Sequence, residues 1–454
     1  MKKIITALIL VFTLVFTGIF PLSASAYRIN EYEMHHEAGM VINLDTDTVI
    51  YEKNADKRIY PAAITNLMTA LVLTDNVSDM ENTKITFTSS ALYQVLGTGL
   101  VTLNLQVGEE ISAKDALAAL LVSSCGDAAF AIAEHVGGST ENFAEMMNKK
   151  AKEMGLNNTH FTNPIGLHSE EHYSTARELC ALAKAAFEVD IIKELASTDR
   201  IQLGATNMSK ERYIVTANSL INYTSDAYYR YAEAGKTGYT DQAGRCVVST
   251  ASYNGYNYLA IVLNAAFPDG RRADFTDITN MFRWAFNNFE YKTVFDKTTP
   301  VAEADVILSN DTDFFTVRFE DGLKALLPKD ADASTLEYEI KLNSDPFEAP
   351  IKKGQRVGTA DIYYANEKIG TLNLVAAQDV DSAGLSVFLK SVGDFFTSKG
   401  VKTVVIVLVV IIALVVAVLV GWILLLNYGK KRDRKVKYRP LSKKERKEWD
   451  ENKD

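Results

Sequence analysis

Three short stretches hold the residue types from which chemistry could be built. Lys236-Thr237-Gly238 sets an ammonium, a hydroxyl and bare backbone side by side at the edge of a strand-like run, a set suited to gripping a terminal carboxylate. Arg245 could add carboxylate binding or stand as a solvated strand charge. Ser124-Cys125-Gly126 places a hydroxyl and a thiol between two apolar helical runs. A thiol nucleophile needs a base beside it, and no motif sets a histidine next to Cys125, so this residue reads as a small apolar filler. His168 and His172 have the spacing of a metal pair, but they fall in a loop-like stretch with no suitably spaced third ligand, so no metal is expected. No cofactor is expected either.

The elements that must position these residues follow from apolar spacing. Ala38–Leu44 and Val49–Glu52 predict a hairpin turning at Asp45-Thr46-Asp47. The stretch Pro61–Ala70 predicts a turn running into a buried helix that continues to Leu73. Further helices are predicted over 113–122, 127–135, 140–155 and 174–187, with Gly137-Gly138-Ser139 as a stop. From Lys236 the pattern changes to strands, 245–251 and 256–265, joined through Asn254-Gly255, before a helix over 271–289. A hairpin, then helices, then antiparallel strands make an α+β domain in which the first hairpin pairs with the late strands. Residues 295–378 are strand-like and turn-separated, the pattern of a small all-β domain.

The two ends read differently. Lys2 and Lys3, the apolar run Ile4–Phe20 and Ala24-Ser25-Ala26 form the layout of a signal peptide over 1–26; an uncleaved anchor is the alternative. Residues 403–429 carry no charge and exceed the ~20 needed to span a bilayer, and a basic tail over 430–454 follows. An amphipathic segment over 379–402 leads into the span. The expected location is therefore a cell membrane, crossed once, with residues 27 to about 400 outside and the tail cytoplasmic. The formal net charge is −9, and without the tail's net +6 and the two leader lysines, residues 4–429 carry −17. So acidic a region argues against a nucleic-acid partner. Three scattered cysteines exclude a disulfide framework.

Several segments together resemble the serine-type D-alanyl-D-alanine carboxypeptidases, the low-molecular-mass penicillin-binding proteins. They are Tyr60-Pro61-Ala62 with Leu67-Met68-Thr69-Ala70; Leu120–Ser124 with Asp127-Ala128-Ala129; Thr159-His160-Phe161, Asn163-Pro164 and Gly166-Leu167-His168; Lys236–Thr240; and Ala349–Gln355. The resemblance implies a β-lactamase/transpeptidase-like domain, an antiparallel sheet with a helical subdomain, over 27–290. It implies the family's small β-domain over 291–378. In that family a Ser-x-x-Lys motif supplies a nucleophile and its base, a Ser-x-Asn motif lines the cleft, and Lys-Thr-Gly receives the carboxylate. Here the first pair is Ala63 and Asn66, and the asparagine of the second is Gly126, whereas Ser124, Lys236, Thr237 and Gly238 remain. Ala63 has no oxygen to attack with, and an amide is no base at neutral pH. Thr65, one or two residues along, points to a different face and makes a poor substitute.

The expectation is a membrane-anchored wall protein, a pseudoenzyme that binds peptidoglycan stem-peptide ends or a β-lactam-like carboxylate (weakly), or a protein partner. The alternative is a carboxypeptidase with residual or altered activity through Ser124 or Cys125.

Overall fold

The computed structural model describes residues 32–267, 272–332, 336–364, 367–384 and 399–432, with a few isolated positions beyond. The expected signal peptide, much of the 379–402 segment and most of the basic tail lie outside them. The chain forms two compact units: Met1–Lys297 with Asp321–Lys341 and Thr359–Asn373, and Thr298–Glu320 with Leu342–Gly358 and Leu374–Asp454.

The first unit is built on a five-stranded antiparallel sheet. Strands β1 (His36–Asn43) and β2 (Val49–Lys53) form the N-terminal hairpin. Its turn is held by Asn43, whose Oδ1 accepts from the backbone N–H groups of Asp45 and Thr46 at 3.1 and 3.0 Å. Short ladders join β3 (Lys84–Thr86) to β4 (Glu110–Ser112) and β5 (Arg200–Leu203) to β6 (Arg212–Val215). Strands β7 (Ala232–Thr240), β8 (Gly244–Tyr253) and β9 (Tyr256–Ala265) complete the sheet in the order β2-β1-β9-β8-β7. Strand β1 pairs with β9, as the hairpin-first pattern predicts, and β7 is left at the edge. Asn254 and Gly255 close the β8–β9 turn with φ of 51° and 80°, the left-handed pair a two-residue hairpin requires.

Strand β9 reads as an almost unbroken apolar run because both of its faces are covered. Leu259, Ile261 and Leu263 face one core and Tyr258, Ala260 and Val262 the other. Among the described residues this unit has eight helices: α1 (Asn66–Asn76), α2 (Ser89–Val95), α3 (Ala113–Val122), α4 (Gly126–Gly137), α5 (Thr140–Glu153), α6 (Ala176–Phe187), α7 (Asp190–Ala196) and α8 (Ala273–Asn288). Helices α1, α3 and α4 are apolar nearly all round and bury almost every residue, which makes them the interior of the helical layer. Gly138, at φ 76°, ends α4, and Ser139 then caps α5 by accepting from Asn142 N–H. On the opposite face α8 places Phe275, Ile278, Met281, Phe282 and Ala285 on the sheet. Strand β10 (Phe289–Phe295) pairs with β13 (Leu323–Pro328) in the same unit.

In the second unit β11 (Pro300–Ile307) pairs antiparallel with β12 (Phe314–Phe319), and β12 pairs with residues 374–376. The strands predicted over 295–378 are present, so the architecture is α+β followed by a C-terminal all-β region. Helix α9 (Lys399–Arg432) contains the apolar segment Lys402–Leu426, whose most apolar 18-residue stretch has a mean hydropathy of 3.7 and is not buried among the described residues. By length and composition this helix can cross a membrane.

Candidate active site

The turn before α1 is a short 3₁₀ segment, Ala62–Thr65, squeezed between two glycines. A Cβ on Gly166 would lie 1.9 Å from the Ala62 carbonyl oxygen, and one on Gly238 would lie 2.6 Å from Ala63 N. Backbone therefore meets backbone on both sides, and only glycine permits that approach. Ala62 itself is held at φ 48°, a strained value for an alanine. Within Pro61–Ala70, Ala63 is the only residue that is not buried, so its methyl marks where the turn opens.

Behind the turn, residues 159–175 act as a brace. Asn163 Oδ1 accepts from the backbone N–H groups of Ile165, Gly166 and Leu167, winding the loop that delivers Gly166. The Thr162 N–H points at His172 Nδ1 (3.1 Å), so Nε2 carries the ring proton and donates it to Thr65 Oγ1 at 2.9 Å. Burial drives the His172 pKa down to about 3, which keeps the ring neutral. Thr69 Oγ1 donates to the Pro164 carbonyl at 2.6 Å. Thr65 is fully buried and engaged here, consistent with its reading as a poor nucleophile. His168 packs edge-on against Tyr60, 4.6 Å between ring centres, and does not join His172 in a ligand set. Among the described residues no cluster of His, Cys, Asp or Glu could hold a metal ion.

Asn66 is fully buried at the first turn of α1. Its Nδ2 donates to the Leu120 carbonyl of α3 at 3.1 Å, and its Oδ1 has no partner among the described residues. Ser124 sits between α3 and α4 at φ 56° and is half-buried. Its Oγ accepts from Lys236 Nζ, which also donates to the Thr237 carbonyl at 3.3 Å. Lys236 is 1% exposed, and burial lowers its pKa to about 7. Cys125 is buried beside it; burial and then Asp127 push its thiol up to about 12, only partly offset by Lys236, so the thiolate is not available at neutral pH.

Strand alternation divides the third motif. Lys236 and Gly238 face the Ala63 turn, whereas Thr237 and Tyr239 project from the other side of β7. Arg245 lies opposite Tyr239 on β8, its guanidinium over the rings of Tyr239 and Phe267 at 4.9 and 4.7 Å. The structure thus brings together Ala63 with Gly238 and Ser124 with Lys236, and leaves Arg245 and Thr237 on a different face.

Leu100 carries no local sequence signal at this site, and Asp127 stands in a resembling segment without a role. A Cβ on Gly126 would lie 2.6 Å from Leu100 Cδ1, and Gly126 N–H donates to the Val101 carbonyl at 2.7 Å. The space a longer side chain at 126 would need is occupied by Leu100. Asp127 holds that loop in place, its carboxylate accepting from Leu103 and Leu105 N–H at 3.0 and 3.1 Å.

A five-stranded antiparallel sheet with helices on both faces, and an edge strand abutting a helix-initiating turn, defines the β-lactamase/transpeptidase fold of penicillin-binding proteins. Solved structures agree. The D-alanyl-D-alanine carboxypeptidase DacD from Francisella tularensis superposes with a TM-score of 0.62 at 24% identity, over 79% of this chain and 96% of that one. Penicillin-binding protein 5 from Haemophilus influenzae superposes with a TM-score of 0.59 at 23% identity, over 78% of this chain and 100% of that one.

Residues 25–267 match the family model described as D-alanyl-D-alanine carboxypeptidase, and 289–382 match that of the penicillin-binding protein 5 C-terminal domain. A further model, described as DNA binding protein S1FA, matches 396–451, the apolar helix and the basic residues after it. The D-alanyl-D-alanine carboxypeptidase DacF of Bacillus subtilis is 32% identical over 366 residues, 80% of this chain and 91% of its own. DacC of Escherichia coli, also a D-alanyl-D-alanine carboxypeptidase, is 26% identical over 371 residues, 80% of this chain and 88% of its own. The chain belongs to the D-alanyl-D-alanine carboxypeptidase family.

Proposed function

We propose that this chain is a wall protein that keeps the family's frame without its acyl-enzyme chemistry, and that it binds peptidoglycan peptide ends through Ser124, Lys236 and the Gly238 edge of β7. The observation that carries this reading is Ala63: at the one position of Pro61–Ala70 that is not buried the side chain is a methyl, with no atom that can attack a carbonyl. Asn66 spends its amide on the Leu120 carbonyl and offers no base. In a comparable hydrolase, loss of the nucleophile alone lowers turnover by about 10⁶, and loss of its partner adds little. What stays is a carboxylate-gripping set on an edge strand.

The exposed apolar side chains of Lys402–Leu426 support a single membrane anchor, and the Lys/Arg-rich residues after it support a cytoplasmic tail. The family matches, ending at 267 and resuming at 289, support a peptidase-like domain over 27–290 and a small β-domain over 291–378. A protein partner is the other occupant this reading admits.

One observation favours a second reading. Lys236, its pKa brought near 7, touches the Ser124 hydroxyl and could take its proton, the pairing a serine nucleophile needs. Fluorescent penicillin separates the two readings. A label on the full-length protein that survives denaturation means acylation, and its loss with Ser124→Ala assigns it to Ser124; no label leaves a binding protein. Calorimetry with acyl-D-Ala-D-Ala peptides then tests the binding, and absence of heat together with a recovered protein partner would favour a docking role.

A further inference from the structure

The α8 side of the sheet carries a concavity that none of the motifs uses. A cavity of about 510 Å³ is floored by Tyr231, Tyr253 and Phe286 and rimmed by Tyr228, Arg230 and Arg283. Its floor is rigidly built. Tyr231 and Tyr253 lie 4.4 Å apart between ring centres, and Phe286 meets Tyr253 edge-on at 5.7 Å. Beneath them Tyr229, buried, contacts Tyr231 at 5.4 Å and stacks parallel on Phe282 of the core. The Ser252 N–H donates to the Tyr231 carbonyl at 2.9 Å, tying the floor to β8. Even so, Tyr228 and Tyr253 are 48% and 38% exposed.

The polar groups around this floor are unspent. Among the described residues, the hydroxyls of Tyr228, Tyr231 and Tyr253 make no hydrogen bond, and neither Arg230 nor Arg283 has an ion pair. The Arg230 guanidinium instead lies 4.9 Å over the Tyr231 ring, and that of Arg283 lies 6.0 Å from the Tyr229 ring. On a region carrying −17, two cations without carboxylate partners beside one aromatic floor make a local anion-attracting field. Fixed aromatic faces with idle donors at their edges suit a ligand that is apolar on one side and hydroxylated at its rim, and a guanidinium fork suits a carboxylate. A sugar ring bearing carboxylates has both properties, and an apolar helix has neither.

We propose that this groove holds an anionic sugar chain of the wall, its rings lying on Tyr231 and Tyr253 and its carboxylates meeting Arg230 and Arg283. The site is separate from the Ala63–Lys236 cleft and does not depend on how that cleft is read.

The test is calorimetry on the full-length protein in nanodiscs. The probe is a tetrasaccharide of alternating N-acetylglucosamine and N-acetylmuramic acid with free lactyl carboxylates, and chitotetraose of equal length is the uncharged comparator. The tetrasaccharide should bind at least about tenfold more tightly than chitotetraose, the scale of one charge-assisted contact. Tyr253→Ala and Arg283→Ala, each checked for a native melting temperature, should each weaken binding by about tenfold or more. No heat with the tetrasaccharide, equal binding of chitotetraose, or insensitivity to the two groove variants would each overturn the proposal. None of these results bears on penicillin labelling, so the two readings fail separately.

Discussion

At residue scale the second motif is filled as well as shortened. Gly126 is the position where the family's asparagine would stand, and Leu100 occupies the space beside it. Gly126→Asn alone is therefore expected to destabilise the protein by about 1–3 kcal/mol, the range for overpacking a closed site. Adding Leu100→Ala should recover most of that loss, which paired denaturant titrations would show as a coupling between the two positions. Equal, additive losses would mean that Leu100 does not block the site. The identities of Ala63, Asn66 and Gly126 were legible in the sequence because a motif fixes their spacing. The Leu100–Gly126 contact was not, since it joins a loop to a helix start with no periodicity and depends on Asp127 gripping a backbone far from its own motif.

Lys236 gives the residue scale a pH dependence. Its folded pKa, about 7, lies below the unfolded value near 10.5, so between these the unfolded chain binds more protons and stability rises with pH. The contribution is complete above the unfolded value and is lost as pH falls through about 7. Replacing Lys236 with Met should flatten the stability profile between pH 7 and about 10. An unchanged slope in the variant would show that the ammonium is solvated.

At element scale the brace of residues 159–175 holds the turn from behind. Gly166 has φ 86°, and a Cβ there would run into the Ala62 carbonyl at 1.9 Å. Gly166→Ala should therefore lower stability by more than about 3 kcal/mol, or prevent folding, through backbone strain and displacement of the turn. A variant of near-native melting temperature would mean that the turn is not clamped as described. His172 adds a second signature. It is neutral in the fold, with a pKa of about 3 against an ordinary value near 6.5, so stability should fall as pH drops from about 6.5 toward 3. His172→Gln should remove that part of the acid sensitivity.

Sequence patterning captured the elements with strong periodicity or turn chemistry. These include the β1–β2 hairpin, α3 with its apolar repeat and the Asn254-Gly255 turn. It missed α2, α7 and the β3–β4 and β5–β6 ladders, which are short and owe their form to tertiary neighbours. Ser123 Oγ donating to the Val215 carbonyl and Arg212 pairing with Glu109 are two such contacts.

At the scale of the whole molecule the proposal joins a carboxylate-binding cleft without a nucleophile to a membrane anchor. A chain ending before Lys399 should move from the membrane to the soluble fraction on cell fractionation; persistence in the membrane would require another attachment. Restoring Ala63→Ser, Asn66→Lys and Gly126→Asn together should give at most weak carboxypeptidase activity while Leu100 remains, and more once Leu100→Ala is added. Brisk turnover in the triple variant would show that the cleft was sound and lacked only its side chains.

The most direct test of the central claim is exposure of the full-length, membrane-inserted protein to fluorescent penicillin, followed by denaturing electrophoresis, with a catalytically active relative run alongside. The account predicts labelling of the relative and no covalent label on this chain. A denaturation-resistant label that disappears with Ser124→Ala would contradict it, and would assign acylation to the hydroxyl that Lys236 holds.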